Sequence, residues 1–178
     1  MELIELQMFT PSQIMLLQRT DCYDELAAMA LQQIEEMYKT FCVVGQKSTI
    51  AVVCGAISAN DTGTKEENVA YFESAVDHFT RETEGMLWSQ IPYEEAIWRL
   101  MARDEAAGLS DQYADPYKNP VLQKFYKPLF TSGYVGIQKF LYNTPQSSGA
   151  RWEAKLGKNV GITPEWYDKE FNLMVPAK

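Results

Sequence analysis

IAVVCGAIS, at residues 50–58, opens with five apolar residues in succession and passes through Gly55 into a polar stretch. Continuous apolar runs of this length are typical of a central parallel strand, because helices cover both faces of such a strand. Residues 50–54 are therefore predicted to form a parallel strand. Ligands of open α/β sheets bind at the carboxyl ends of strands. Four residues at this end are thus candidates for binding: Gly55, Ala56, Ile57 and Ser58.

The segments that follow alternate between helical and extended patterns. Helices are predicted around the apolar stripe of residues 69–79, which ends near Gly85, and at residues 93–107, 121–130, 150–156 and 164–171. Strands are predicted at residues 86–91, 134–141 and 159–162. Such alternation implies an α/β fold with a parallel sheet and right-handed crossovers.

The segment between the predicted helices at residues 93–107 and 121–130, GLSDQYADPYKNP at residues 108–120, is the most loop-like part of the chain. Loops of this length are often functional. The sequence leaves two interpretations open, a lid over a site or a surface loop.

The first 45 residues differ from the rest, because they contain one or two amphipathic helices over residues 11–41. Thr10 and Pro11 form a helix start, with a capping side chain before a proline. We therefore predict a helical extension at residues 1–45 and an α/β domain at residues 46–178. An apolar stripe runs along the extension at Leu26, Met29, Ile34, Met37 and Phe41. It exceeds what a small sheet needs and predicts a homo-oligomer, unless it covers the chain's own sheet.

Composition excludes several classes of function. The net charge of −8 argues against a nucleic-acid groove, although a few local donors can still capture a small anion. Three cysteines without CxxC spacing argue against disulfides and zinc, and a single histidine excludes a multi-histidine metal site. No basic leader precedes an apolar stretch, and no apolar run approaches the ~20 residues of a membrane span. We expect a soluble, cytoplasmic protein without cofactor or metal.

A second motif, SSGARWE at residues 147–153, lies between a predicted strand and a predicted helix. The start of a helix presents unpaired N–H groups that suit a phosphate. Ser147 and Ser148 add hydroxyl donors, and Gly149 allows close approach of the backbone. The helix dipole is expected to favour the ionised form of Glu153. Glu153 is then either a carboxylate poised to attack a sugar carbon or an ordinary stabilising carboxylate near a helix start.

Together, the two motifs resemble those of the nucleoside 2-deoxyribosyltransferase and nucleoside 5′-monophosphate N-glycosidase superfamily. The likeness consists of a first strand that ends in Gly55-Ala56-Ile57-Ser58 and, much later, the pattern Ser-x-Gly-x-x-x-Glu at residues 147–153 before a last strand. It covers roughly residues 48–165. The resemblance implies a Rossmann-like (flavodoxin-like) parallel sheet flanked by helices.

The resemblance also implies a chemistry. In that superfamily the glutamate attacks C1′ of the sugar and expels the base, as the nucleophile of a retaining glycosidase does. Carried over, the nucleophile is Glu153. Phosphate binding falls to Ser147, Ser148 and Gly149, with Ser58 and the 55–57 backbone on the facing loop. The implied substrate is a nucleoside 5′-monophosphate or nucleoside, and the reaction is hydrolysis or base transfer.

One departure from the superfamily concerns the acid that orients sugar or base. Its members commonly have an aspartate in the helix before the penultimate strand, where this chain has KFYKPL at residues 124–129. Five other acids of the neighbouring helix and loop could take its place: Glu94, Glu95, Asp104, Asp111 and Asp115. Two alternative functions follow, a non-catalytic nucleotide-binding module of the same fold or a protein that interacts through its N-terminal helices.

Overall fold

The computed structural model describes residues 9–41, 49–55, 64–83, 86–142, 144 and 147–174. The α-helices in these ranges are α1 (Pro11–Arg19), α2 (Tyr23–Phe41), α3 (Lys65–Glu82), α4 (Ile91–Ala106), α5 (Lys127–Phe130) and α6 (Ser148–Val160). The strands are β1 (Ile50–Cys54), β2 (Leu87–Trp88), β3 (Val135–Phe140), β4 (Thr163–Tyr167) and β5 (Leu173–Met174). A 3₁₀-helix at Ser110–Ala114 and a π-helix at Val121–Tyr126 precede α5.

These strands form one sheet in the order β2-β1-β3-β4-β5. The first four are mutually parallel, and β5 pairs antiparallel with β4. The predicted α/β class and parallel sheet are thus confirmed. No helix within the described ranges is both long and apolar enough to cross a membrane.

Helices cover both faces of β1, as its continuous apolar sequence predicts. Ile50, Val52 and Cys54 belong to a core cluster with residues of α2, α4 and α6. Ala51 and Val53 belong to a second cluster on the opposite face, which is built largely on α3. All five residues of β1 are buried, so β1 is the centre of a three-layer structure.

Helix α2 turns most of its apolar stripe into this core. Leu26 and Ile34 are fully buried and Met37 nearly so, whereas Met29 is half-buried and Phe41 is exposed. The stripe therefore covers the chain's own sheet and gives no support to a homo-oligomer, which stays a prediction. The division into an extension at residues 1–45 and a domain at residues 46–178 also stays a prediction, although α2 shares its core with the α/β layers.

The end of the chain differs from the sequence-based expectation, because the predicted strand at 159–162 and helix at 164–171 are both wrong. Helix α6 continues to Val160 and ends at Gly161, which is left-handed with φ of 84°. Strand β4 follows at Thr163–Tyr167. Pro164 is tolerated there because β5 pairs only with Trp166 and Tyr167, which leaves that edge of β4 open at the proline.

The predicted strand at residues 86–91 is also shorter than expected, since only Leu87–Trp88 pair with β1 and α4 begins at Ile91. The loop-like segment at 108–120 is held against the protein by hydrogen bonds. The Tyr113 hydroxyl donates to Asp104 Oδ2 at 2.7 Å, and Lys155 Nζ donates to the Tyr117 hydroxyl at 2.9 Å. The structure therefore shows an ordered surface segment that contacts α4 and α6.

Strand β3 carries a buried lysine on the face that α3 covers. Lys139 Nζ donates to Glu165 Oε2 at 2.9 Å, to Glu82 Oε2 at 3.1 Å and to the Tyr167 hydroxyl at 2.6 Å. Since each of its three protons has an acceptor, this charge is satisfied inside the protein. The cluster ties β4 and the end of α3 to β3.

Helix α6 lies close to β3 because Gly157 faces the buried amide of Gln138. Gln138 Nε2 donates to the backbone carbonyl of Glu153 at 3.2 Å, which fixes the helix over the strand. A Cβ atom at position 157 would overlap the Gln138 amide.

We therefore expect Gly157→Ala to lower the free energy of unfolding by about 1–3 kcal/mol, as overpacking of a tight core does. Urea denaturation measures this change. The matched control on the same helix is Gly149→Ala, where the nearest atom to the new Cβ would lie 3.6 Å away. Equal stability of the two variants would contradict the close packing of α6 on β3.

Candidate active site

The carboxyl ends of β1 and β3 lie side by side where the strand order reverses. The chain passes from β1 to β2 in one direction and from β3 to β4 in the other, which opens a crevice between β1 and β3. The Cys54 carbonyl accepts hydrogen bonds from Leu141 N at 2.9 Å and from Thr144 Oγ1 at 3.3 Å. Thr144 is fully buried, and it thereby fixes the loop after β3 to the end of β1.

That loop leads directly into the start of α6. Ser147 N donates to the Thr144 carbonyl at 3.0 Å, and Ser147 Oγ caps the helix by accepting from Ala150 N at 3.4 Å. Ser148 is exposed and Gly149 is half-buried. The three predicted phosphate-binding residues of the second motif are thus grouped at one helix start, at the edge of the crevice.

Of the four candidate binding residues after β1, only Gly55 is described, and Ala56, Ile57 and Ser58 lie outside the described residues. A Cβ at position 55 would come within 2.9 Å of Leu141 Cδ1 and 3.3 Å of Phe72 Cδ2. Glycine therefore lets the end of β1 pack closely against Leu141 and α3.

Glu153 lies on the buried side of α6, with only 8% of its surface exposed. The pKa of its carboxyl group is raised to about 8, mainly by burial and to a smaller extent by the negative charge of Glu94, while a hydrogen bond with the Cys54 thiol opposes the rise. Burial therefore outweighs the effect expected of the helix dipole, so the protonated form of Glu153 is favoured near neutral pH. A helix start typically stabilises a carboxylate by about 0.3–1 kcal/mol. Full burial can raise the pKa of a carboxyl group by about 3–5, and each step of one costs the carboxylate roughly 1.4 kcal/mol.

Two further side chains belong to this site. Burial raises the pKa of the Tyr126 hydroxyl well above its usual value, and the negative charges of Glu94 and Glu153 raise it as well. Burial and Glu153 likewise raise the pKa of the Cys54 thiol, so Cys54 is unsuited to act as a nucleophile. The site therefore combines two carboxyl groups with a thiol and a phenol.

The sequence points to Glu94 but not to the other residues that Glu153 meets at this site. Glu94 is one of five candidate acids, and its place just after β2 is the signal that favours it, since β2 ends at the same edge of the sheet. Nothing in the sequence singles out Tyr126 or Thr144. Tyr126 reaches the site through the π-helix, a feature that is frequent at functional sites but has no clear sequence signature.

The other candidate acids lie elsewhere or are solvent-exposed. Asp104 is held by Arg103 Nη2 at 2.7 Å and by the Tyr113 hydroxyl, and Asp115 accepts from Tyr117 N within its own loop. Asp111 and Glu95 are exposed. Glu94 is thus the candidate whose charge acts on Glu153.

A cavity of about 180 Å³ lies beside this cluster, between the first halves of α3 and α4. Its lining combines apolar, aromatic and acidic side chains, namely Val69, Phe72, Ile91, Glu94, Glu95 and Trp98. Glu94 belongs to both the cavity and the carboxyl cluster, and Phe72 packs beside Gly55. The cavity is therefore adjacent to the crevice at the end of β1.

Two tryptophans and the histidine of α3 make packing contacts. Trp88 is buried and donates through Nε1 to Gln33 Oε1 at 2.9 Å. His78 lies at the surface of α3 against the ring of Phe171, and Trp152 packs in the core. Among the residues that the structure describes, no group of three or more His, Cys, Asp or Glu side chains is placed to hold a metal ion.

Comparison of the chain with models of known protein families, with curated proteins and with solved structures gave no match.

The raised pKa of Glu153 has a consequence for stability. The unfolded chain releases this proton near its ordinary value of 4.5, and the folded chain releases it near 8. Between these pH values the folded state binds the extra proton, so the free energy of unfolding falls as the pH rises. By pH 8 this group costs the folded state a few kcal/mol.

Replacing Glu153 with glutamine removes this titration. We expect Glu153→Gln and the wild type to differ little at pH 5, and the variant to be more stable by about 3 kcal/mol near pH 8. Thermal and urea unfolding across pH 5–9 measure the difference. Glu105→Gln, an exposed substitution on α4, is the control. A wild type whose stability relative to Glu153→Gln does not fall with pH would contradict the buried, protonated state of Glu153.

Proposed function

We propose that this protein cleaves the N-glycosidic bond of a nucleoside 5′-monophosphate or nucleoside, by hydrolysis or base transfer, with Glu153 as the nucleophile. The observation that carries the proposal is the buried carboxyl group of Glu153, which lies at the crevice between β1 and β3 on the helix that Ser147 caps. A phosphate at this helix start would hold the sugar near that carboxyl group. The resemblance of both motifs to the N-glycosidase superfamily supports the same chemistry.

We further infer that the sheet is of the flavodoxin-like, Rossmann-related type. The order of the four parallel strands, β2-β1-β3-β4, matches the first four positions of the order of that class, in which ligands bind at the point where the order reverses. The antiparallel β5 is an addition at the edge. This arrangement supports a nucleotide site between β1 and β3.

The reaction has two steps. One oxygen of the ionised Glu153 carboxylate bonds to C1′ while the C1′–N bond breaks, and the electron pair leaves with the base, which takes up a proton from solvent. Water then attacks C1′ and loses a proton, and the bond from C1′ to Glu153 breaks, which restores the carboxylate. The products are a free base and a sugar or sugar phosphate, and a second base in place of water gives transfer.

This role requires ionised Glu153. With a pKa of about 8, roughly a tenth of the unliganded molecules carry the carboxylate at pH 7. Because Glu94 adds to the pKa, a ligand that neutralises the Glu94 charge would favour the ionised nucleophile. We therefore expect kcat/KM to rise with pH up to about 8 and then level off.

The direct test is a panel of nucleoside 5′-monophosphates assayed by chromatography for released base, with wild-type protein and with Glu153→Gln. We expect the variant to lose turnover by about a thousandfold or more and to bind the ligand within a few-fold of the wild type, because only the nucleophile is removed. Glu105→Gln serves as the control. If the wild type neither releases base nor exchanges it with an added one, catalysis is contradicted and the nucleotide-binding alternative is favoured.

The phosphate role of the second motif has a separate test in Gly149→Ala. The new methyl group fits the folded protein but lies 3.6 Å from Ser147 Oγ, within the space proposed for the phosphate. We expect about tenfold weaker binding of a nucleoside 5′-monophosphate and little change for the corresponding nucleoside. Calorimetric titration measures both affinities. A parallel loss for both ligands would place the effect elsewhere than at the phosphate.

A further inference from the structure

The proposed reaction does not specify which base the substrate carries, and the side chains that line the cavity between α3 and α4 bear on that choice. We propose that this cavity binds the base of the substrate and selects bases that carry an amino group, such as cytosine and adenine, over their oxo counterparts, uracil and hypoxanthine. This inference rests on the proposed cleavage of an N-glycosidic bond and names the substrate class of that site.

The size and walls of the cavity suit a flat heterocycle. Its volume of about 180 Å³ exceeds the roughly 150 Å³ of an apolar protein cavity that binds benzene. Phe72 and Trp98 supply aromatic surface, and Val69 and Ile91 supply aliphatic surface. Aromatic side chains stack on every base, so these walls favour a base without choosing among them.

The choice comes from the acidic side chains at the cavity. Glu94 and Glu95 line it, and an ionised carboxylate only accepts hydrogen bonds. An exocyclic amino group donates to such an acceptor, as cytosine N4 does to acidic side chains in DNA recognition. An oxo group at the same ring position would set two acceptors against each other and leave both unpaired, which weakens binding.

The position of Glu94 connects this choice to the reaction. Its charge acts on the carboxyl group of Glu153 and on the hydroxyl of Tyr126, so the cavity and the proposed nucleophile lie within electrostatic reach of each other. The proposal requires that a base in the cavity present its glycosidic bond toward the crevice. A hydrogen bond from its amino group would offset the Glu94 charge that opposes ionisation of Glu153.

The test uses two ligand pairs that differ at one ring position: deoxycytidine against deoxyuridine 5′-monophosphate, and deoxyadenosine against deoxyinosine 5′-monophosphate. Affinities are measured by calorimetry on full-length Glu153→Gln, which suppresses turnover. We expect the amino member of each pair to bind at least about tenfold more tightly. Adding Glu94→Gln is expected to reduce each ratio to about threefold or less, because an amide both donates and accepts. Adding Glu105→Gln should leave the ratios unchanged.

A second variant tests the location. Val69→Phe fills the cavity from α3, where Val69 is half-buried, and is expected to weaken binding of all four ligands about tenfold or more while the protein stays folded by circular dichroism. Equal affinities within each pair, or ratios that Glu94→Gln does not change, overturn this inference, while base release by the wild type still supports the proposed function. Selective binding without base release supports the inference and overturns catalysis. No binding of any of the four ligands overturns both.

Discussion

The parallel pairing of β1 with β3 is the constraint on which the rest of the site depends. Their register sets Cys54 opposite Phe140, so both strands end at the same level of the sheet. A single carbonyl, that of Cys54, then accepts hydrogen bonds from the backbone of Leu141 and from the side chain of Thr144. Because α6 begins a few residues later, this contact determines where its start and its buried Glu153 lie relative to the crevice.

Sequence patterns predict the centre of the fold better than its end. Continuous burial gives β1 an unambiguous apolar run, and helical spacing reveals α2, α3 and α4. The end of the chain misleads because two local signals have other causes. Gly157 looks like a helix end but serves the close approach of α6 to Gln138, and the Thr163-Pro164 pair looks like a helix start but lies in an edge strand. Both causes are tertiary contacts that no local pattern contains.

Some features of the candidate site can likewise be predicted from the sequence, and others cannot. The position of Glu153 after a capped helix start follows from the sequence, since spacing along a helix is a local property. Its protonation does not follow, because it depends on burial by distant segments and on the charge of Glu94, which belongs to another helix. The contribution of Tyr126 is equally hidden, since it depends on an irregular turn. Distance along the chain therefore separates what could be predicted from what could not.

The position of Tyr126 depends on the extra residue that the π-helix at Val121–Tyr126 contains. A π-turn holds one residue more than an α-helical turn, so the loss of a single residue here would restore a regular helix. Side chains on one side of the deletion would rotate by about 100° relative to those on the other. Tyr126 would then leave the carboxyl groups while the sheet kept its register. A small insertion or deletion in this one segment would therefore change the chemistry of the site and leave the scaffold unchanged.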